Sequence, residues 1–230
     1  MEQHNNTTGD WRHLDAPLDH PRYAFIAGLL QQYCVGGSLL DVGCGPALLR
    51  NWLPTEVRYT GIDLSAEAVQ IARARDASLK IHHTSAERYD AHGDRFDCIV
   101  FNEVLYYVTD PIRLLRRYAS MLKPGGVMLC SVYLKPGTAP LTHRLWHWLT
   151  GRRPYSNVRC AELVRAFMKA EAWPILDDCV VPLPGAAAGW QIWLASPPRH
   201  SEAGNLSVPV HFGVRASLQS ANRRRAVRPA

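Results

Sequence analysis

Two glycines and an aspartate have the residue types and spacing that best define a binding site in this sequence. Gly43 and Gly45 follow the mostly apolar run 39–42, and Asp63 ends a second short apolar stretch. Glycines in a tight turn after a strand let a ligand approach the backbone closely, and a neighbouring carboxylate accepts hydrogen bonds from ribose hydroxyls. The pattern therefore predicts a nucleoside-binding site.

The spacing of the glycines disfavours a dinucleotide. A dinucleotide-binding turn of the form Gly-x-Gly-x-x-Gly that starts at Gly43 requires its third glycine at the position of Leu48. The leucine side chain would crowd a pyrophosphate at the start of the following helix. A shorter nucleoside without phosphates remains compatible with this turn.

Strand and helix patterns alternate along the chain, which predicts a parallel sheet with right-handed crossovers. The predicted strands are 38–42, 58–62, 79–83, 97–102 and 127–133, and the predicted helices are 21–33, 47–52, 66–75, 111–121 and 160–172. Segments 175–181 and 190–195 flank a Pro/Gly-rich turn and predict a closing antiparallel hairpin. The fold class is α/β: a Rossmann-like, doubly wound, mostly parallel seven-stranded sheet with a C-terminal antiparallel hairpin. Its ligand should lie at the carboxyl ends of the strands.

Length and composition indicate one globular domain. The chain has 230 residues, which suffices for one sizeable α/β domain and is short for two. No apolar run approaches the roughly 20 residues that cross a bilayer, and residues 1–10 lack a signal-peptide pattern. We therefore expect a cytoplasmic protein. The six cysteines are widely spaced and predict buried, reduced thiols with no metal site.

The net charge of +6 is concentrated at the C-terminus. Residues 197–230 contain six arginines and one glutamate, so the remainder of the chain is close to neutral. We expect a flexible N-terminus over 1–19, a domain over 20–196 with an insert or lid at about 134–160, and a basic, disordered tail over 197–230. Arginines without interleaved aromatics are a weak nucleic-acid signal.

Four motifs occur in a characteristic order: Asp-Val-Gly-Cys-Gly-Pro-Ala (41–47), Gly-Ile-Asp-Leu-Ser (61–65), Phe-Asp-Cys-Ile-Val-Phe-Asn-Glu-Val-Leu-Tyr-Tyr-Val-Thr-Asp-Pro (96–111) and Leu-Lys-Pro-Gly-Gly (122–126). Their succession resembles that of class I S-adenosylmethionine-dependent methyltransferases over residues 20–196. The Glu-Val-Leu-Tyr-Tyr part of the third motif is most similar to nodulation-type N-methyltransferases and related small-molecule enzymes.

The resemblance implies S-adenosylmethionine as cofactor and assigns its contacts to matching positions. In chain order these are Asp41, Gly43, Cys44, Gly45, Asp63, Leu64, Ser85, Ala86, Glu87, Asn102 and Glu103. The residues around the glycine turn would hold the methionine half of the cofactor. Asp63 would accept from the ribose, Leu64 would lie against the adenine, and Glu103 would lie beside the amino group and the methyl.

Three positions depart from the family's pattern. Ala47 replaces a third glycine, which a helical backbone at that position would tolerate. Ser85 replaces an acid in the adenine segment, so base recognition would rest on backbone groups. Tyr107 replaces a frequent histidine after the fourth strand, and this change bears on the choice of acceptor.

Methyl transfer to a hydroxyl requires a base, and an amine acceptor must arrive unprotonated. The candidate catalytic residues are Glu103, Tyr107 and His143, with Tyr133 and His147 as further possibilities. His143 and His147 lie four residues apart, but no third ligand is evident, so no metal is predicted. The tract 143–153 fits either a substrate lid or an amphipathic packing helix.

The sequence thus predicts a methyltransferase that acts on nitrogen or oxygen of a small-molecule acceptor, with no membrane span. Two alternatives remain open at this point. One is methylation of RNA or another macromolecule through the arginine-rich tail, and the other is a non-catalytic cofactor-binding or interaction module.

Overall fold

The computed structural model describes residues 17, 19–134, 157–183, 185 and 188–198. The strands are β1 (Ser38–Val42), β2 (Arg58–Asp63), β3 (Lys80–His83), β4 (Phe96–Asn102), β5 (Leu122–Leu134), β6 (Ile175–Pro182) and β7 (Gly189–Ala195). The α-helices are α1 (His20–Tyr33), α2 (Ala66–Arg75), α3 (Pro111–Ala119) and α4 (Asn157–Ala170), and 3-10 helices span Leu48–Trp52 and Leu105–Tyr107.

The seven strands form one sheet in the order β3-β2-β1-β4-β5-β7-β6. Strands β1 to β5 pair in parallel, and β7 lies antiparallel between β5 and β6. This arrangement confirms the predicted fold class, including the C-terminal hairpin. The chain order reverses beside β1, so the switch point lies next to the glycine turn.

Helices cover both faces of the sheet, and alternate strand residues enter opposite hydrophobic clusters. Leu39 packs in the cluster that contains α1 and α2, whereas Leu40 packs in the cluster that contains α3 and α4. This alternation follows from the two-residue side-chain period of a strand. It explains why the parallel strands read as nearly continuous apolar runs.

Two helix starts agree with the sequence because a local side chain caps them. The Ser65 hydroxyl accepts from the backbone N–H of Ala68 at 3.2 Å, and the Asp110 carboxylate accepts from that of Arg113 at 2.9 Å. Each satisfies one of the backbone donors that a helix leaves free at its N-terminus. Both helices thus begin directly after a residue that ends a site-forming loop.

The fifth strand was predicted to begin after the Lys-Pro-Gly-Gly turn, and this prediction is wrong. In the structure β5 already begins at Leu122, which pairs with Phe96, and the register then shifts so that Cys98 pairs with Val127. The four turn residues, 123–126, fall in the gap between these two pairings. Gly125 there has a φ of 78°, a left-handed conformation that glycine adopts without strain.

In the described part of the chain, no helix combines the length and the apolar character needed to cross a membrane. The N-terminal segment before residue 17, most of the predicted insert (135–156) and the basic tail from 199 lie outside the described residues. The expectations for those segments therefore stay predictions.

Candidate functional site

The glycine turn and Asp63 meet at the carboxyl ends of β1 and β2. The backbone N–H groups of Gly43 and Cys44 both donate to the carbonyl oxygen of Ile62, at 2.9 and 3.0 Å. The N–H of Gly45 donates to Oδ2 of Asp63 at 2.7 Å. The turn is therefore fastened to the end of the neighbouring strand.

The turn depends on left-handed backbone at alternate residues: φ is 71° at Gly43, 54° at Gly45 and 58° at Ala47. The expectation of a helical backbone at Ala47 is wrong, and the following helix is a 3-10 helix that begins at Leu48. A Cβ atom on Gly43 would lie 2.7 Å from Cγ2 of Val104. Glycine suits this position because a Cβ atom would clash with Val104, and because the left-handed conformation strains any residue that carries a side chain.

Asp63 is anchored on both carboxylate oxygens. Besides the bond from Gly45, Oδ1 accepts from the N–H of Ser65 at 2.7 Å. Burial raises the pKa of Asp63, while the hydrogen bonds from Ser65 and Gly45 oppose the rise. Each carboxylate oxygen has two lone pairs, so Asp63 keeps acceptor capacity for hydroxyl groups. Leu64, next in the chain, is 70% exposed and free to contact a planar ring.

Asp41 is buried beneath the turn with half of its carboxylate unsatisfied. Its Oδ2 accepts from the Tyr59 hydroxyl at 2.6 Å, whereas Oδ1 is buried and has no hydrogen-bond partner. Burial raises the pKa of Asp41 from its ordinary value to about 7. A buried acceptor without a donor is costly, so this oxygen indicates where a donor group of a ligand would bind.

Glu103 lies at the end of β4, in a left-handed conformation with a φ of 63°. Its Oε2 accepts from the Tyr106 hydroxyl at 3.0 Å. The Ser131 hydroxyl lies 2.8 Å from Oδ1 of Asn102 and 3.2 Å from Oε1 of Glu103. Burial raises the pKa of Glu103, although Arg22 and the hydroxyls oppose the rise.

Arg22 is a residue of this site that the sequence analysis missed. It is 4% exposed, and its guanidinium carbon lies 4.7 Å from the ring centre of Tyr23 and 5.0 Å from that of Trp190. One terminal nitrogen lies 4.0 Å from Oε2 of Glu103, and its Nε is buried without a hydrogen-bond partner. Helical spacing could have found it, because Arg22 precedes the core residue Ile26 by four positions.

The predicted adenine segment is held in place through its backbone. The carbonyl oxygen of Ala86 accepts from the Tyr118 hydroxyl at 2.9 Å. Arg117 donates to the carbonyl oxygens of Glu87 and Tyr89. Helix α3 thus fixes the loop that contains Ser85, which is half-buried, and leaves the Glu87 side chain exposed.

The structure does not bring all predicted catalytic residues together. Tyr107 is 71% exposed, and its ring centre lies 4.5 Å from that of Tyr106, which is the tyrosine that contacts Glu103. Tyr133 lies 5.7 Å from Trp190 between ring centres. His143 and His147 lie outside the described residues.

Comparison with known proteins places most of the chain in one family. A family profile described as a methyltransferase domain matches residues 15–171. Ubiquinone biosynthesis O-methyltransferase from Dinoroseobacter shibae is 38% identical over 101 residues, which are 42% of this chain and 41% of that protein. The corresponding protein from Sodalis glossinidius is 33% identical over 102 residues, which are again 42% and 41%. The chain thus matches about two-fifths of the length of these relatives.

Solved structures share the fold at low sequence identity. The N-methyltransferase NodS from Bradyrhizobium japonicum, in complex with S-adenosyl-L-homocysteine, is 22% identical with a TM-score of 0.65, covering 84% of this chain and 95% of that one. The 1,6-didemethyltoxoflavin-N1-methyltransferase from Burkholderia thailandensis is 21% identical with a TM-score of 0.58 and a coverage of 83% of each chain.

Proposed function

The chain belongs to the class I S-adenosylmethionine-dependent methyltransferases, and on that premise we propose that it methylates a nitrogen or oxygen atom of a small-molecule acceptor. The observation that carries the proposal is the 2.7 Å hydrogen bond between the glycine turn and Asp63 at the carboxyl ends of β1 and β2. This is the position at which an open α/β sheet binds a nucleoside. The O-methyltransferase relatives and the N-methyltransferase structures support this class of reaction.

The charges of the site fit the two ends of the proposed cofactor. The adenosine end requires an acceptor for the ribose hydroxyls, which Asp63 offers, and an apolar surface for the base, which Leu64 offers. The methionine end carries an ammonium and a carboxylate. The unpartnered Oδ1 of Asp41 and the Glu103 carboxylate suit the ammonium, and the unpartnered Nε of Arg22 suits the carboxylate.

When bound, S-adenosylmethionine supplies an electrophilic methyl group on a positively charged sulfur. The protein must hold the acceptor atom in line, because such positioning lowers the barrier by several kcal/mol. It must also receive a proton when the acceptor is a hydroxyl. Of the three candidate catalytic residues, we propose Tyr107 and His143 for this proton transfer or for orienting the acceptor, and we propose that Glu103 binds the ammonium of the cofactor. Glu103 and Tyr107 follow the end of β4 in the chain, which supports an acceptor position above that strand.

Transfer of labelled methyl groups into a fractionated lysate tests the proposed function. With the full chain and methyl-labelled S-adenosylmethionine, we expect the label to appear in small metabolites extracted by organic solvent. Calorimetry on the same preparation should show saturable binding of S-adenosylhomocysteine. Label confined to RNA or protein would overturn the small-molecule assignment, and an absence of both binding and transfer would overturn the proposed activity.

Replacing Glu103 by glutamine should act mainly on cofactor affinity. The amide keeps the size of the side chain but removes the negative charge that faces Arg22 and the proposed ammonium. Since a hydrogen bond to a charged group contributes about 1.5–3 kcal/mol, we expect the KM for S-adenosylmethionine to rise about 10- to 100-fold.

Steady-state kinetics separates this role from proton transfer. In Glu103→Gln, kcat measured at saturating cofactor should stay within about threefold of the wild type, which is far less than the ~10²–10⁴-fold loss of a general base. Tyr107→Phe serves as the comparison, because it removes a hydroxyl proposed to act on the acceptor, so it should lower kcat and leave the KM for S-adenosylmethionine unchanged. A large fall in kcat with an unchanged KM in Glu103→Gln would show that Glu103 accepts the proton instead.

A further inference from the structure

A cavity lies at the amino-terminal ends of strands β1 to β5, the opposite end of the sheet from the proposed methyl-transfer site. Its volume is about 560 Å³, which lies within the range typical of small-molecule sites. The lining residues used below are Ser38, Arg50, Arg58, Lys80, Arg95 and Lys123. The proposed methyl-transfer site, at the carboxyl ends of the strands, does not involve any of them.

The lining of this cavity is strongly basic. It includes five arginine or lysine residues and one acid, Asp94. The two lysines have carboxylate partners: Lys80 lies 3.2 Å from Asp94, and Lys123 lies 2.7 Å from Asp97. The excess positive charge therefore comes from the three arginines.

The three arginine side chains are held by backbone carbonyl oxygens. Arg50 donates to the carbonyl of Pro54 at 2.7 Å, Arg58 donates to that of Gly36 at 2.8 Å, and Arg95 donates to that of Ser120. A carbonyl oxygen orients a guanidinium without neutralising it, and each guanidinium has five N–H donors. Donors thus remain for a ligand that brings negative charge.

Acids near the cavity only partly offset this charge. Asp76 lies near Arg50, and its pKa is lowered by hydrogen bonds from Ser78 and more weakly by the arginine. The Asp97 carboxylate also accepts from the Ser38 hydroxyl at 2.9 Å, besides its bond with Lys123. Arg58 and Arg95 are exposed at the mouth of the cavity, where an incoming anion would meet them first.

We propose that this cavity binds a small phosphorylated molecule that carries at least two phosphate charges. Guanidinium groups donate paired hydrogen bonds to phosphate and to carboxylate, but a phosphate group brings more negative charge and three acceptor oxygens, which suits a cluster of three arginines better than one carboxylate does. The cationic groups surround a concave volume, which fits a compact ligand. A nucleic-acid backbone would instead require a basic stripe along the surface.

Calorimetric titration of the full chain with pyrophosphate tests this site. Pyrophosphate contains no adenosine, so prior saturation with S-adenosylhomocysteine should leave its affinity unchanged. We expect saturable binding that weakens as NaCl rises from 50 to 300 mM, because the contacts are ionic. Inorganic phosphate should bind at least tenfold more weakly, and succinate, a dicarboxylate, should bind more weakly still.

Substitutions distinguish the cavity from other basic regions of the chain. Arg58→Gln and Arg95→Gln should each weaken pyrophosphate binding about tenfold, while Arg58→Lys, which keeps the charge but loses the paired donors, should weaken it less than Arg58→Gln does. Two controls should leave binding unchanged: Arg113→Gln, at an exposed position on α3, and the combined replacement of Arg223, Arg224 and Arg225 by glutamine in the tail. Thermal melts will show whether each variant is folded.

The possible results distinguish a phosphate site in this cavity from nonspecific binding and from a nucleic-acid site. Failure of the wild type to bind pyrophosphate below about 10 mM would overturn the proposal, as would equal losses in Arg113→Gln or loss of binding in the tail variant. Tighter binding of a 20-nucleotide RNA than of pyrophosphate, abolished by Arg58→Gln, would assign the cavity to nucleic acid instead. Amide NMR shifts induced by pyrophosphate at Ser38, Lys80 and Lys123 would support the site even if a glutamine variant is unstable.

Discussion

Replacing Asp63 by alanine is expected to weaken the binding of S-adenosylmethionine by about 100- to 1000-fold. The carboxylate is proposed to accept from two ribose hydroxyls, and hydrogen bonds to a charged group contribute about 1.5–3 kcal/mol each. The substitution also removes the acceptor of the Gly45 N–H at 2.7 Å. The glycine turn would then lose its tie to β2, so the loss of affinity includes poorer positioning of the methionine half.

Isothermal titration calorimetry measures this effect directly, with S-adenosylhomocysteine as the stable ligand. Asp90→Ala is the matched control, because Asp90 is an exposed loop acid that also accepts from a backbone N–H, that of His92 at 2.8 Å. Asp63→Asn should show an intermediate loss, since the amide oxygen keeps one acceptor. Wild-type affinity in Asp63→Ala would refute the assignment of this residue to the ribose.

The sequence predicted those features of the fold that local interactions determine. Ser65 and Asp110 cap their helices through backbone groups only three residues away. The alternation of Leu39 and Leu40 between two clusters follows from strand geometry alone. These features depend on neighbours in the chain, and so they could be predicted from the order of residues.

Features that depend on distant segments could not be predicted in this way. Helical spacing could indicate that Arg22 lies on the core face of α1, but it could not identify its partners Trp190 and Glu103, which lie far along the chain. The left-handed backbone at Ala47 belongs to the tight turn whose Gly43 and Cys44 N–H groups donate to the carbonyl oxygen of Ile62 on the neighbouring strand. Each requires the folded sheet to bring its partners together.

The clustering of charge also depends on distant segments and could not be predicted from the sequence. Outside the tail the sequence is close to neutral, and its charge alone indicated no basic cluster among residues 1–196. The parallel sheet nevertheless brings the first residues of separate strands to one edge, and Arg58, Lys80 and Lys123 meet there. The net charge of the domain therefore could not indicate this basic cluster, because its residues come from separate strands that only the fold brings together.

Asp41→Asn should stabilise the ligand-free protein at high pH while weakening cofactor binding. Burial raises the pKa of Asp41 from 3.8 to about 7 in the folded state. A carboxyl whose folded pKa lies above its unfolded value takes up a proton on folding, so the wild type is favoured below about pH 4 and loses that stability as pH rises to 7. A shift of about three pH units at 1.36 kcal/mol per unit corresponds to about 4 kcal/mol.

Asparagine cannot ionise, so the difference in unfolding free energy between Asp41→Asn and the wild type isolates this one group. Urea denaturation at pH 5, 6, 7 and 8 should show that difference growing in favour of the variant by about 2–4 kcal/mol, and then levelling off above pH 7. The Tyr59 hydroxyl, 2.6 Å from Oδ2, can still donate to the amide oxygen, which limits structural damage.

The same substitution should weaken cofactor binding, because the buried oxygen proposed to face the ammonium no longer carries charge. A difference in stability that is constant with pH, together with unchanged affinity for S-adenosylhomocysteine, would show that Asp41 is neither held at a raised pKa nor part of the cofactor site. The predicted opposition of stability and binding would instead mean that the ligand-free fold retains a destabilising carboxylate for its function.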